Sequence, residues 1–423
     1  MAFAGLLIYL VILFIRPGDW VKPVLNWPFE FVILGAVGAM SVVQAQAAGK
    51  GTRMPHRVFI LGWLLAVLLS NLAHGDLSSA ITESNAVGKR VIIFLIFLYA
   101  IDSVSRLKQV LITMISLIAL LGIQGLYQIQ NDGIGWAGQP MYWGERIRWI
   151  GLWDGANVLS LVFVFSFAFI LEFTFGNWGW LTKLFAIVSG GLVLTGLYLA
   201  KSRGGLVALF VVILFYFRSK IGNKGLVLGT ALVAVLFTVG PSRLQDMNDL
   251  EGPSNDASSS RHRVDMWTEG LEMLKYNPVF GIGQGQFLQY TGSLIGHNTF
   301  IQVMGETGLV GLFFFVGMLY LSFKSLSWVM RMEDVSFHLA SMARALLVCL
   351  IGYLSAAFFI TAAFELLYIL MALAAATWLI ARRETGLPAV FPLDKMDLKN
   401  IVLLEVGVVM GMYAITAGLS VMV

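Results

Sequence analysis

Apolar runs of roughly 15 to 25 residues recur from one end of this chain to the other, and that recurrence restricts the fold more than any motif does. A bilayer asks for about 20 apolar residues per spanning helix. Thirteen candidate spans can be marked, near 2–15, 29–48, 58–73, 87–101, 108–127, 155–175, 181–200, 204–217, 225–240, 298–323, 339–357, 361–380 and 400–422. Charged residues make up only 12% of the 423, against about 25% in a soluble domain, so a water-facing surface cannot be covered. The expected fold is all-α, a polytopic integral membrane protein with about 12–13 transmembrane helices forming one domain over 1–423. The first run has neither a basic leader nor a small-residue cleavage site and reads as an anchor.

Placing the N-terminus in the cytoplasm puts the basic loops RSKIGNK (218–224) and ARRETG (381–386) on the cytoplasmic side, as the positive-inside rule asks. The one long loop, 241–297, is then extracytoplasmic. Within it Val264, Trp267, Leu271 and Leu274 recur at helical spacing, which predicts an amphipathic helix lying on the membrane or on the bundle. Ser258 to Ser260 offer its N-cap, and Asn277-Pro278 ends it.

Several cations on the outward side sit beside span ends: Arg146 and Arg148, Lys201 and Arg203, Arg261 and Arg263. Positive charge there runs against the orientation bias, and a cation at a helix N-terminus opposes the macrodipole. Both costs vanish if the site receives an anion such as a phosphate; headgroup contacts or ion pairs with Asp246, Asp249 or Asp265 are the plainer account. His297 directly precedes Asn298, a good N-cap for the span that follows. A helix mouth disfavours the imidazolium, which keeps the ring in the neutral form that a general base requires; a satisfied interfacial histidine is the alternative. Glu306, nine residues on, implies an arginine partner or a substrate hydroxyl. GIGQGQF (281–287) follows no strand and reads as a tight turn rather than a phosphate loop.

The chain shows no DxD, HExxH, CxxC, GxSxG or SxxK, and its one cysteine, Cys349, allows neither a disulfide nor a cysteine metal site. The expectation is therefore no metal and no cofactor, with one base beside an electropositive pocket for a leaving phosphate.

The stretch from His297-Asn298 to Glu306-Thr307-Gly308-Leu309-x-Gly311 resembles a signature of the O-antigen ligase/polymerase superfamily. In that family's order stand Arg148-x-x-Gly151 with Asn157, Lys201-Ser202-Arg203-Gly204-Gly205, and Arg263-x-x-x-Trp267 followed by Asn277-Pro278-x-x-Gly281-x-Gly283. Arg16-Pro17-Gly18-Asp19-Trp20 is similar to an opening seen among such proteins. The resemblance implies a membrane glycosyltransferase of the GT-C class in a bacterial inner membrane, taking a glycan from undecaprenyl diphosphate on the periplasmic face. It implies metal-independent, inverting transfer with His297 as base and with Arg203 and Arg263 on the diphosphate. Arg148, Lys201, Arg261, Asn298 and Glu306 would complete the donor and glycan site. A ligase would pass the glycan to lipid A–core, and a polymerase to the next lipid-linked repeat. The rival from another class is a transporter of lipid-linked oligosaccharide. Membrane lipids are the expected surroundings, and nucleic acid is no partner.

Overall fold

The computed structural model of the protein describes residues 2–25, 27–47, 54–142, 146–227, 229–230, 255–292, 295–362, 364–386 and 391–422, apart from the side chains at 42, 44–47, 255–262 and 420–422. Among the described residues the chain is helical and has no strand, only two isolated bridges that shape the segment before residue 147. The first helices are α1 (Ala2–Ile15), α2 (Pro17–Trp20), α3 (Phe29–Ala47), α4 (Pro55–Leu72), α5 (Leu77–Ala100) and α6 (Val104–Gln130). Then come α7 (Ala156–Phe175), α8 (Trp180–Ala200), α9 (Arg203–Ile221), α10 (Asn255–Tyr276) and α11 (Phe287–Thr291). The last are α12 (Thr299–Val329), α13 (Phe337–Ala357), α14 (Glu365–Thr385) and α15 (Lys395–Met422).

Nine of these are long and apolar enough to cross a membrane: α4, α6 to α9, and α12 to α15. The protein is thus an all-α multi-pass membrane protein. Helices α1 and α3 are shorter apolar segments. The expected span at 225–240 falls almost wholly outside the described residues, as does the loop up to 254. The run at 339–380 resolves into two helices, α13 and α14. The span expected at 87–101 begins earlier, at Leu77, because Asp76 caps it: its carboxylate accepts from the Ser79 amide at 2.9 Å.

Helix α14 is at the centre, buried from Glu365 to Ala381 by α5, α12 and α13. A helix surrounded by protein on every side is apolar all round, which is how this one reads. Peripheral helices show large apolar side chains outward, among them Ile187 and Val188 on α8 and Leu403 and Met410 on α15. On a multi-pass bundle such a face meets lipid rather than water. The predicted amphipathic helix is α10, and it settles between the two options left open: Trp267, Leu271 and Leu274 are buried against α12 rather than laid on a membrane surface.

One spanning helix is broken. In α12, Gly308 has φ 63° and ψ −163°, so the hydrogen-bond ladder opens across 305–310. In hydrocarbon each unsatisfied backbone group costs several kcal/mol. The GIGQGQF segment supplies the missing partners: the amides of Ile282 and Gly283 donate to the carbonyls of Gly305 and Glu306 at 3.0 and 2.9 Å. On the other side of the break the amides of Leu309 and Val310 donate to the carbonyls of Pro278 and Val279 at 2.8 and 3.2 Å. The expected tight turn is there, with Gly281, Gly283 and Gly285 all at positive φ, and it is docked deep on α12. A Cβ at Gly281 would collide with the backbone of Glu306, so this close approach requires glycine.

Candidate functional site

The site is built where α8 gives way to α9. Helix α8 stops because Lys201 adopts a left-handed conformation, φ 46° and ψ 48°, and the chain reverses at once because Ser202 caps α9 by accepting from the Gly205 amide at 3.3 Å. Gly205 lets α9 close on α7: a Cβ there would stand 2.6 Å from Ser160 Oγ. The preceding strap is tied to the same corner. Arg146 donates through Nε to the carbonyl of Ala200 at 3.0 Å and through Nη2 to Asn157 Oδ1 at 2.7 Å, which also accepts from Ser202 Oγ at 3.0 Å.

A cavity of about 310 Å³ opens at this corner. Arg146, Lys201, Arg203 and Arg263 line it together with Asn157 and Ser202, and Ala356, Phe359 and Ile360 close its apolar side. Among the described residues lining it there is no carboxylate. Three sequence-predicted residues are brought together here: Lys201 from the turn that ends α8, Arg203 from α9 and Arg263 from α10. Arg148 is not in the lining: its Nε is 3.5 Å from Asp154 Oδ1, and its guanidinium lies 5.8 Å from the centre of the Tyr142 ring. Arg146 occupies the cavity in its stead. The side chain of Arg261 lies outside the described residues.

His297 holds a left-handed backbone, φ 46°. A non-glycine residue in that region costs of order 1–3 kcal/mol and is found chiefly where function demands it. Its ring is partly buried, and burial first and the neighbouring charge of Arg263 second hold its pKa below the usual histidine value. The neutral imidazole that the helix mouth was expected to favour is favoured by these two causes. Asn298 is wholly buried and caps α12, accepting from the amides of Phe300 and Ile301 at 2.9 and 3.2 Å. Its carboxamide fixes the backbone on which His297 stands.

Glu306 does not make the expected arginine pair. Its carboxylate receives Gln284 Nε2 at 2.6 Å, the Phe287 amide at 3.2 Å, and Gln302 Nε2. It therefore buckles the 281–287 segment onto α12 beside the break. Sequence reasoning put Arg146 among the outward cations but did not favour it over Arg148. Arg146 pairs with Tyr142 in one of the two bridges, and the bend they impose has no sequence periodicity. Among the described residues no group of three His, Cys, Asp or Glu side chains could hold a metal ion.

The geometry defines a multi-pass helical membrane protein with a cationic cavity and a desolvated histidine at one end of the bundle. Residues 188–316 match the model of the O-antigen ligase family, in the stretch that carries most of the motifs of the superfamily the sequence resembles. The matched stretch carries Lys201, Arg203, Arg263, His297 and Glu306, and excludes the strap with Arg146 and Arg148. No curated protein matches the chain.

Proposed function

We propose that this protein transfers a glycan from undecaprenyl diphosphate to a glycan acceptor on the periplasmic face of a bacterial inner membrane, as an O-antigen ligase acting on lipid A–core. The observation that carries this reading is the cavity in which four cationic side chains converge, with His297 close enough to Arg263 to feel its charge. The match of residues 188–316 to the O-antigen ligase family supports glycan transfer as the reaction type.

In this reading Arg203 and Arg263 take the donor diphosphate, with Lys201 and Arg146 adding positive charge around it. Guanidinium groups suit diphosphate because they offer paired donors in a fixed fork. His297, neutral near pH 7, accepts the proton of the acceptor hydroxyl as its oxygen attacks the anomeric carbon. The bond from that carbon to the diphosphate oxygen breaks, undecaprenyl diphosphate leaves, and the configuration inverts. The arginines stabilise the charge that accumulates on the leaving group, an effect worth most in a site screened from water.

The test is an assay with purified protein, an undecaprenyl-diphosphate glycan and EDTA, with lipid A–core and further donor offered separately as acceptors. Product on lipid A–core in the presence of chelator is the expected result. A ladder on the carrier lipid instead would make the enzyme a polymerase. No product with either, and no His297-dependent polysaccharide in cells, would sink the reading in favour of a transporter.

A further inference from the structure

The segment that joins α13 to α14 separates two cavities. Phe359 and Ile360 line the cationic one, while Thr361 and Phe364 line a second, of about 350 Å³. Thr299, in the first turn of α12, pins this partition from below: its hydroxyl donates to the Ile360 carbonyl at 3.0 Å and accepts from the Ala362 amide at 2.8 Å. His297 stands at the same wall. Ile295 and Thr299, on either side of it in the chain, both line the second cavity, while Arg263 of the first cavity bears on its charge.

The two cavities differ in chemistry. The second is lined by two carboxylates, Glu83 and Glu306, and one guanidinium, Arg90, a balance that repels a phosphate. Its remaining polar groups are neutral: Gln284, Gln302, and Thr361, whose hydroxyl donates to Gln302 Oε1 at 3.3 Å. Buried Arg90 Nε has no hydrogen-bond partner, its nearest acid being Glu365 Oε1 at 3.8 Å, and among the described residues the Glu83 carboxylate accepts no hydrogen bond. Apolar surface from Trp63, Leu288 and Phe364 completes the lining. Carboxylate, amide and guanidinium groups set around apolar rings are what a polyhydroxylated, uncharged ligand asks for: the polar groups take the hydroxyls and the rings take the C–H face.

We propose that the second cavity seats the acceptor sugar, with Glu83 and Arg90 on its hydroxyls, so that the nucleophilic oxygen is presented across the partition at 359–361 to His297 and the donor. This rests on the transfer reading above. The base is then flanked by a phosphate cavity on one side and a saccharide cavity on the other.

The test uses the full-length protein and two substitutions chosen to fold. Glu83→Gln keeps shape and removes charge, and Leu288→Trp adds bulk at a half-exposed wall position. Transfer kinetics are read with lipid A–core and with lipid-linked glycan as acceptor, and the affinity for undecaprenyl diphosphate alone is measured separately. The assignment predicts that both variants raise acceptor KM by about tenfold or more, the equivalent of one substrate hydrogen bond, with undecaprenyl diphosphate affinity unchanged. Active variants with unaltered acceptor KM would overturn it. A parallel loss of undecaprenyl diphosphate affinity would also overturn it, by making the cavity part of the donor site. Absence of transfer by the wild type removes the transferase reading itself, and this is seen before any variant is made, so the two failures are not confused.

Discussion

The two ends of the helical bundle arrange positive charge differently, in separate ion pairs at one and around a shared cavity at the other. At the end where α7 runs into α8 and α12 into α13, cations are matched to nearby acids: Lys324 lies 2.6 Å from Asp397, Lys220 3.5 Å from Glu172, and Arg106 2.8 Å from Asp102. Glu172 and Asp397 are themselves buried. At the end where α8 meets α9, Arg146, Lys201, Arg203 and Arg263 gather around one cavity whose described lining holds no acid. The same residue types thus do two jobs. Pairs with local acids hold helices together, whereas a concentration of one sign raises a potential suited to an anionic substrate.

The sharpest break between the ends is expected at His297. His297→Ala should lower transfer by roughly 10²–10⁴, the usual worth of a general base, while affinity for undecaprenyl diphosphate and thermal stability stay near wild type. Normal transfer by that variant would remove the base from the mechanism. Next come the arginines. Arg203→Lys and Arg263→Lys keep charge but lose the fork, and each is expected to cost on the order of tenfold or more in kcat/KM, about one charge-assisted hydrogen bond. Arg148→Lys, outside the cavity and paired with Asp154, should cost far less. Equal losses at Arg148 and Arg263 in a kinetic comparison would dissolve the distinction between cavity and strap.

A substitution at the opposite end should separate stability from activity. Lys324→Met leaves Asp397 buried with only Tyr320 and the Asp394 amide as donors, at 2.7 and 2.9 Å. Removing one partner of a buried pair costs around 3–5 kcal/mol, so a clear fall in melting temperature is expected, with kcat/KM per folded molecule close to wild type. A catalytic loss without a stability loss would mean the two ends are not independent.

Much of this was legible in the sequence because apolar periodicity is a local property. Span positions and the α10 stripe at Val264, Trp267, Leu271 and Leu274 follow from runs and spacing, while Arg203 and Arg263 are singled out among the cations at span ends only by the resemblance to a family's motifs. What escaped depends on contacts between distant segments. The break at Gly308 is invisible in an apolar run, since the residues that satisfy it lie at 278–283. Glu306 read as half of an ion pair because its glutamine partners, Gln284 and Gln302, carry no charge to announce them. Arg146 and Arg148 are equivalent by spacing, and only the strap that ties Arg146 to Asn157 and Ala200 tells them apart. Glu83 and Arg90 belong to no motif, and nothing local ties them to residues 284–306.

The smallest effect probes the electrostatic link between His297 and the cationic cavity. His297 acts as base only when neutral, and burial together with Arg263 lowers its pKa from the ordinary value of 6.5. The acid limb of transfer should therefore lie at lower pH than an ordinary histidine would give, as the imidazole takes up a proton. Arg263→Gln removes the second of the two causes and leaves the first. The His297 pKa then rises part of the way back toward 6.5, and the acid limb of the residual activity moves to higher pH. The comparison needs only the shape of the profile, so the lower rate of the variant does not obscure it. An acid limb that stays in place, or moves to lower pH, would show that Arg263 exerts no electrostatic hold on the base, and the cationic cavity and the histidine would have to be treated as separate features of the same end.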